Sequence, residues 1–186
     1  MNNILNDKNN NNIYNRFLQR HLFKNIYTTD SCNWLIKECE TYAKKNGGWI
    51  NNEYGDKFLD IIKIHPILGF ILNSTETIIS KILKSYCINH INPKFNILKI
   101  IIIKQDDNTN MKNIGKLLKD DGFFSFCISL NQPDNFEEGG IYFEDGITNH
   151  LEQGDALIYS GKIKHNNIPI TKGIKYTLFG FMDFNL

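Results

Sequence analysis

Toward the end of the chain, His165-Asn-Asn-Ile-Pro169-Ile-Thr171-Lys-Gly173-Ile-Lys175-Tyr176-Thr-Leu178 sets an imidazole ten residues ahead of a lysine. An imidazole offers a nitrogen lone pair to a metal, and an ammonium offers a compact point charge to an anion. Thr171 and Gly173 are turn residues, such as any hairpin needs. Upstream, Asp120 and Asp121 carry carboxylates, which suit hard cations. Each group also has a plainer reading. His165 reads as a partly exposed loop histidine, Asp120-Asp121-Gly122 as a turn entering a strand, and Lys175 as a solvated strand residue. His150 falls at the start of a strand away from this segment and reads as surface; His21, His65 and His90 read as structural. Cys32, Cys39, Cys87 and Cys127 form no CxxC pair and no zinc-type Cys/His spacing. Cys32 and Cys39 would lie two helical turns apart, too far for a disulfide, so all four read as reduced and mostly buried thiols.

The segment from His165 to Lys175 resembles the closing motif of the prolyl and procollagen-lysyl hydroxylase branch of the 2-oxoglutarate/iron(II) dioxygenases. Asn131-Gln-Pro-Asp-Asn-Phe136-Glu-Glu-Gly139-Gly140-Ile-Tyr-Phe143 is similar to that branch's LN…DFEGG…F strand and hairpin. Leu151-Glu-Gln-Gly154-Asp155-Ala156-Leu157 is similar to the strand leading into its metal histidine. Trp49 and Asp56–Asp60 resemble, more weakly, the segment before the branch's second helix. The resemblance runs from about residue 28 to the end and is strongest from residue 117. It implies a double-stranded β-helix, or jelly roll. It also implies iron(II), with 2-oxoglutarate as co-substrate and ascorbate as an accessory reductant. The implied reaction is hydroxylation of a protein side chain, so the implied partner is a protein or peptide substrate. Carried over position by position, His165 falls on a metal-ligating histidine. Lys175 falls on the basic residue that binds the distal carboxylate of 2-oxoglutarate. Arginine is usual there; lysine keeps the charge and loses the bidentate fork.

One departure stands out. Aligned without a gap from Asn131, the branch's His-x-Asp motif falls on Leu118-Lys119-Asp120. Asp120 keeps the carboxylate, whereas Leu118 replaces the histidine, and slipping by one residue gives Lys119-Asp120-Asp121. The family's iron site takes two imidazoles and one carboxylate. Two readings follow. One is an active hydroxylase holding its metal with Asp120 and His165. The other is a pseudoenzyme that binds a peptide, a 2-oxo acid or a partner without turnover. A purely structural role is disfavoured by the motif itself.

The elements that must position these residues divide the chain in two. Helical spacing of Cys32, Leu35, Ile36, Cys39, Tyr42 and Ala43 predicts a helix over about 31–45, with Asp30 as N-cap and Gly47-Gly48 as its end. A second helix is expected over about 74–86, with Ile78, Ile79, Ile82, Leu83 and Tyr86 on one face. His65-Pro66 and Pro93 punctuate the connections. From about residue 96 the pattern turns to strands, at 96–104, 123–131, 140–143, 156–159 and 176–181, parted by polar and glycine turns. Phe124, Phe126, Tyr142 and Phe143 are expected in the core. Helices followed by short strands predict an α+β fold with a β-sandwich or barrel body and disfavour a parallel sheet with crossovers; with the resemblance, the expected fold is a jelly roll with N-terminal support helices. Residues 1–15 read as a disordered, Asn-rich tail, and residues 16–186 as a single domain. The net charge of +1 gives no reason to expect nucleic acid or an anionic membrane as partner. With no secretory signature and reduced thiols, an intracellular, cytoplasmic location is the default expectation.

Overall fold

A computed structural model describes residues 19–51, 56–85, 94–106 and 116–185. The expected tail, Tyr86, Cys87, His90, Pro93 and most of the polar stretch after Gln105 lie outside the described residues.

Strand β1 (His21–Phe23) precedes helix α1 (Thr29–Lys45). The cap of α1 is Thr28, whose side chain accepts from Ser31 N at 3.2 Å, and not Asp30, which sits in the first turn where its charge suits the helix dipole. Gly48 N reaches back to Ala43 O, closing the helix as expected. Strands β2 (Ile50–Asn51) and β3 (Lys57–Asp60) follow, then helix α2 (His65–Ser85). This helix starts well before residue 74. Pro66 lies in its first turn, where a missing N–H costs nothing, so the proline begins the helix and does not interrupt a connection.

The remainder is strand: β4 (Lys94–Asp106), β5 (Phe124–Ser129), β6 (Phe136–Glu138), β7 (Ile141–Phe143), β8 (Thr148–Asn149), β9 (Ala156–Ser160), β10 (His165–Asn167) and β11 (Ile170–Asn185). One sheet runs β1-β9-β5-β11-β4-β3-β2, with β6 paired to the start of β11; the other runs β10-β7-β8. All the described ladders are antiparallel. This is the expected α+β jelly roll.

Strand periodicity sorts the side chains onto two faces. Ile100, Ile102, Phe124, Phe126, Ile128, Ile158 and Leu178 turn toward the helices and pack with Leu35, Cys39, Ile67, Ile71 and Ile78. Their neighbours Ile101, Ile103, Cys127, Leu157, Tyr159 and Phe179 turn inward, against Ile141 and Phe143 of the small sheet. Central strands are therefore buried on both faces, which is why their sequences read as continuous apolar runs. Tyr142 is the exception to the expected core: it is 38% exposed, because β7 buries only Ile141 and Phe143. Cys32, Cys39 and Cys127 are free and buried.

Candidate functional site

His165 opens β10, and Leu118 pairs with it in a short antiparallel bridge, each N–H donating to the other's carbonyl at 2.8 and 2.9 Å. That bridge extends the small sheet by one position and sets the register of Asp120. Asp120 N then donates to Gly161 O at 2.8 Å, and Gly161 N to Phe123 O at 2.9 Å. Gly161 permits this approach because a Cβ there would lie 2.3 Å from Gly122 O. The result brings two of the expected residues together, with His165 Nε2 lying 3.4 Å from Asp120 Oδ2. Leu118 and Asp120, two apart in an extended segment, share a face.

The tautomer of His165 follows from its neighbours. Nδ1 lies 2.9 Å from Ile163 O, a pure acceptor, so Nδ1 carries a proton. In the neutral ring Nε2 then keeps its lone pair, and the Tyr159 hydroxyl, 3.2 Å away, donates to it. Ser125 Oγ donates to Asp120 Oδ2. Tyr159 and Phe143 hold the imidazole between them, with ring centroids 4.7 and 5.6 Å from it. Burial pushes the Asp120 carboxyl above the usual carboxylate range, against the opposing pulls of His165 and the Ser125 hydroxyl. Burial likewise raises the Tyr159 phenol well above its ordinary value, with the Asp120 charge adding to it.

Among the described residues no three His, Cys, Asp or Glu side chains gather closely enough to hold a metal ion. The donor set at Asp120 and His165 nevertheless suits a small divalent cation. A carboxylate oxygen faces an imidazole lone pair 3.4 Å away, with His165 buried and Asp120 mostly so, and a cation between them could take both as donors in place of their present hydrogen bonds.

Lys175 lies on β11 with its side chain turned to the barrel interior, 9% exposed. Asn131 holds the backbone on either side of it, donating to Ile174 O at 2.7 Å and accepting from Tyr176 N at 2.9 Å. Gly173, expected in a turn, lies within β11 opposite Phe136 of β6; at φ +86° it passes so close to Asn135 that a Cβ would stand 2.1 Å from its carbonyl oxygen. Among the described residues the ammonium has no ion pair or hydrogen bond; the Phe136 ring, 5.6 Å away, is its cation–π partner. Burial pulls its pKa below the ordinary lysine value, with Cys127 and Asp56 opposing. In front of it opens a cavity of about 360 Å³ walled by Ser129, Phe136, Ile141, Thr177 and Phe179 among others. His150, read from sequence as surface, is exposed and lines the mouth of this cavity.

Asp120 and His165 do not line that cavity. Ile141 and Phe179 belong both to its wall and to the inner cluster containing Phe143 and Tyr159, so the two ends share one packed interior. The Cys127 thiol, pushed up to about 12 by burial, feels the charges of both Lys175 and Asp120. Tyr159, Ser125 and Cys127 were not among the residues expected at the site. Alternation along β5 and β9 is the signal for them: Ser125-Cys127-Ser129 and Leu157-Tyr159 fall on the faces opposite the aromatic and aliphatic outer residues.

No family model matches the sequence. A PKHD-type hydroxylase from Delftia acidovorans is 30% identical over 76 residues, which cover 39% of this chain and 34% of that protein. The chain thus matches about a third of that relative's length. Among solved structures, a viral collagen prolyl hydroxylase from Paramecium Bursaria Chlorella virus-1, in complex with 2-oxoglutarate, superposes with a TM-score of 0.63. The two are 11% identical, over 90% of this chain and 96% of that one. A prolyl-4-hydroxylase from Pseudomonas putida gives a TM-score of 0.55 at 13% identity, over 88% of this chain and 91% of that one. HygX from Streptomyces hygroscopicus, with nickel and 2-oxoglutarate bound, gives 0.61 at 9% identity, over 95% and 86%. The chain has the double-stranded β-helix fold of the 2-oxoglutarate/iron(II)-dependent dioxygenases and resembles their prolyl and lysyl hydroxylase branch.

Proposed function

We propose that this protein is an iron(II)- and 2-oxoglutarate-dependent hydroxylase acting on a protein or peptide side chain, with a metal site reduced to Asp120 and His165 at the family's positions. The observation that carries this reading is Lys175, a buried cation without an anion partner among the described residues, facing a cavity large enough for a small dicarboxylate. Such a charge is costly unless something pairs with it. A 2-oxo acid whose distal carboxylate meets Lys175 would supply that partner, and the neighbours bound to 2-oxoglutarate support the assignment by analogy of fold.

The chain's own residues supply the rest. Asn131 fixes the backbone that aims Lys175. Ile163 O fixes the imidazole tautomer and Ser125 orients the Asp120 carboxylate. Phe143, Phe179 and Leu157 keep bulk water from the interior. Asp120 and His165 would hold iron(II), which when bound supplies the activation of dioxygen that couples 2-oxoglutarate decarboxylation to hydroxylation. Ascorbate would serve as reductant on the same analogy.

Leu118 favours a second reading, a binding module that keeps the 2-oxo acid and lacks turnover. Anaerobic iron(II) titration with and without 2-oxoglutarate, then exposure to oxygen and detection of succinate, separates the two. Succinate formed in proportion to protein supports the hydroxylase. Binding of 2-oxoglutarate without succinate supports the module. No melting-temperature shift with millimolar 2-oxoglutarate, or an equal shift in Lys175→Met, rejects both.

A further inference from the structure

Leu118 leaves the proposed metal site one donor short, and the structure sets another oxygen beside His165 Nε2. Tyr159 Oη lies 3.2 Å from His165 Nε2, which lies 3.4 Å from Asp120 Oδ2. Donor atoms bound to one first-row cation at about 2.0–2.2 Å stand roughly 2.9–3.6 Å from one another, from octahedral to tetrahedral angles. Both edges fall in that interval.

The hydrogen bonding leads to the same place. Tyr159 is fully buried, and among the described residues its hydroxyl bonds to His165 Nε2 alone. A metal on Nε2 takes the lone pair that this phenol proton now uses. The phenol would then be a buried donor without its acceptor, unless its oxygen joins the metal as well. Its ring cannot retreat, because Phe143 packs edge-on at 5.2 Å and the imidazole at 4.7 Å. Ser125, the other hydroxyl nearby, is committed to Asp120 Oδ2.

We propose that Tyr159 is the third protein ligand of the metal, standing in for the histidine that Leu118 replaces, so that the site is Asp120, His165 and Tyr159. This rests on the reading of Asp120 and His165 as metal ligands. On binding, the phenol oxygen bonds to the cation and its proton leaves to solvent.

The test uses the whole chain. Anaerobic calorimetry with iron(II) alone compares the parent with Tyr159→Phe and His165→Ala. Ferric iron, supplied as a weak chelate, is then followed by visible absorption, where a phenol oxygen on iron(III) gives a charge-transfer band. The expected result is a band in the parent that is absent in Tyr159→Phe, a loss of iron(II) affinity of tenfold or more in that variant, and none bound by His165→Ala. A parent that binds iron(II) without a ferric band, or a Tyr159→Phe protein that binds within twofold of it, overturns the tyrosine ligand while leaving the Asp120–His165 reading intact. A parent that binds no iron in either state overturns both. If Tyr159→Phe does not fold, the ferric spectrum of the parent decides alone.

Discussion

At one end of the barrel interior Asp120, His165, Tyr159 and Ser125 satisfy one another through hydrogen bonds, with aromatic rings closed around them. At the other end Lys175 is equally buried, has no ion pair or hydrogen bond among the described residues, lies over the face of Phe136 and looks into a cavity. Both ends stand on strands of the same roll, so the contrast is one of chemistry and not of scaffold. The first end is stable as it is, and a metal must compete with contacts already made. The second carries a charge without an ion-pair partner among the described residues, which an added anion would relieve. Ligand binding should therefore be most visible thermodynamically at Lys175, and the missing histidine should weaken metal binding more than 2-oxo acid binding.

The strongest way to sharpen that contrast is to restore the lost donor. Leu118 is the bridge partner of His165 and shares a face with Asp120, so Leu118→His adds an imidazole where the strand register already aims. We expect iron(II) affinity to rise by about 10–100-fold, or roughly 1.4–2.7 kcal/mol, measured by anaerobic calorimetry, and 2-oxoglutarate-dependent succinate formation to appear or increase. The melting-temperature shift given by 2-oxoglutarate alone should not change. An unchanged iron affinity would mean either that position 118 does not face the metal or that Tyr159 already completes the donor set.

Gly161→Ala should break the same end from the backbone. A Cβ there meets Gly122 O at 2.3 Å and the Asp120 Cβ at 3.2 Å, so the segment carrying the carboxylate must move. Overpacking of this kind costs about 1–3 kcal/mol. The denaturation midpoint should fall accordingly and iron affinity with it, while the 2-oxoglutarate shift persists. Loss of that shift as well would show the two ends to be one cooperative unit.

Lys175→Met tests the open end. Burial holds the folded-state pKa of Lys175 below its unfolded value, so the unfolded chain binds the proton more readily and folding stability rises with pH through that interval. Methionine removes the desolvated charge. The ligand-free variant should gain about 1–2 kcal/mol at neutral pH, lose the alkaline rise in stability, and show no 2-oxoglutarate shift. A ligand-free variant less stable than the parent would mean that the ammonium is well paired in solution.

Much of this arrangement is legible in the sequence, and the limits have physical causes. The C-terminal His165-to-Lys175 segment and the α1 periodicity point to the fold, because both are local patterns. Tyr159 and Ser125 do not announce themselves, since their roles depend on how β9 and β5 meet the Leu118–His165 bridge, a register between distant segments. β8 and β10, of two and three residues, are too short to carry a period. The early start of α2 was hidden by Pro66, which is a breaker inside a helix and an asset in its first turn.

The smallest expected effect concerns the support of the Lys175 end from outside the barrel. Glu40 of α1 accepts from Lys104 Nζ at 2.7 Å, from the Tyr176 hydroxyl at 2.5 Å and from Trp49 Nε1 at 3.4 Å, tying the helix to the strand residue beside Lys175. Burial pushes its carboxyl up, but the Lys104 and Tyr176 bonds outweigh it, and the net direction is down. A folded-state pKa below the unfolded one contributes stability that is complete above the unfolded value, near 4.3, and is lost as pH falls through the folded value. Its side chain is 40% exposed, so solvent screens the pair. Glu40→Gln should therefore cost no more than about 0.5–1 kcal/mol at neutral pH, and the difference from the parent should vanish under acid conditions in urea denaturation series. Because Tyr176 N is held separately by Asn131, the 2-oxoglutarate shift should survive the change. If it does not, α1 helps to set the position of Lys175, and the open end depends on the helical layer as well as on the barrel.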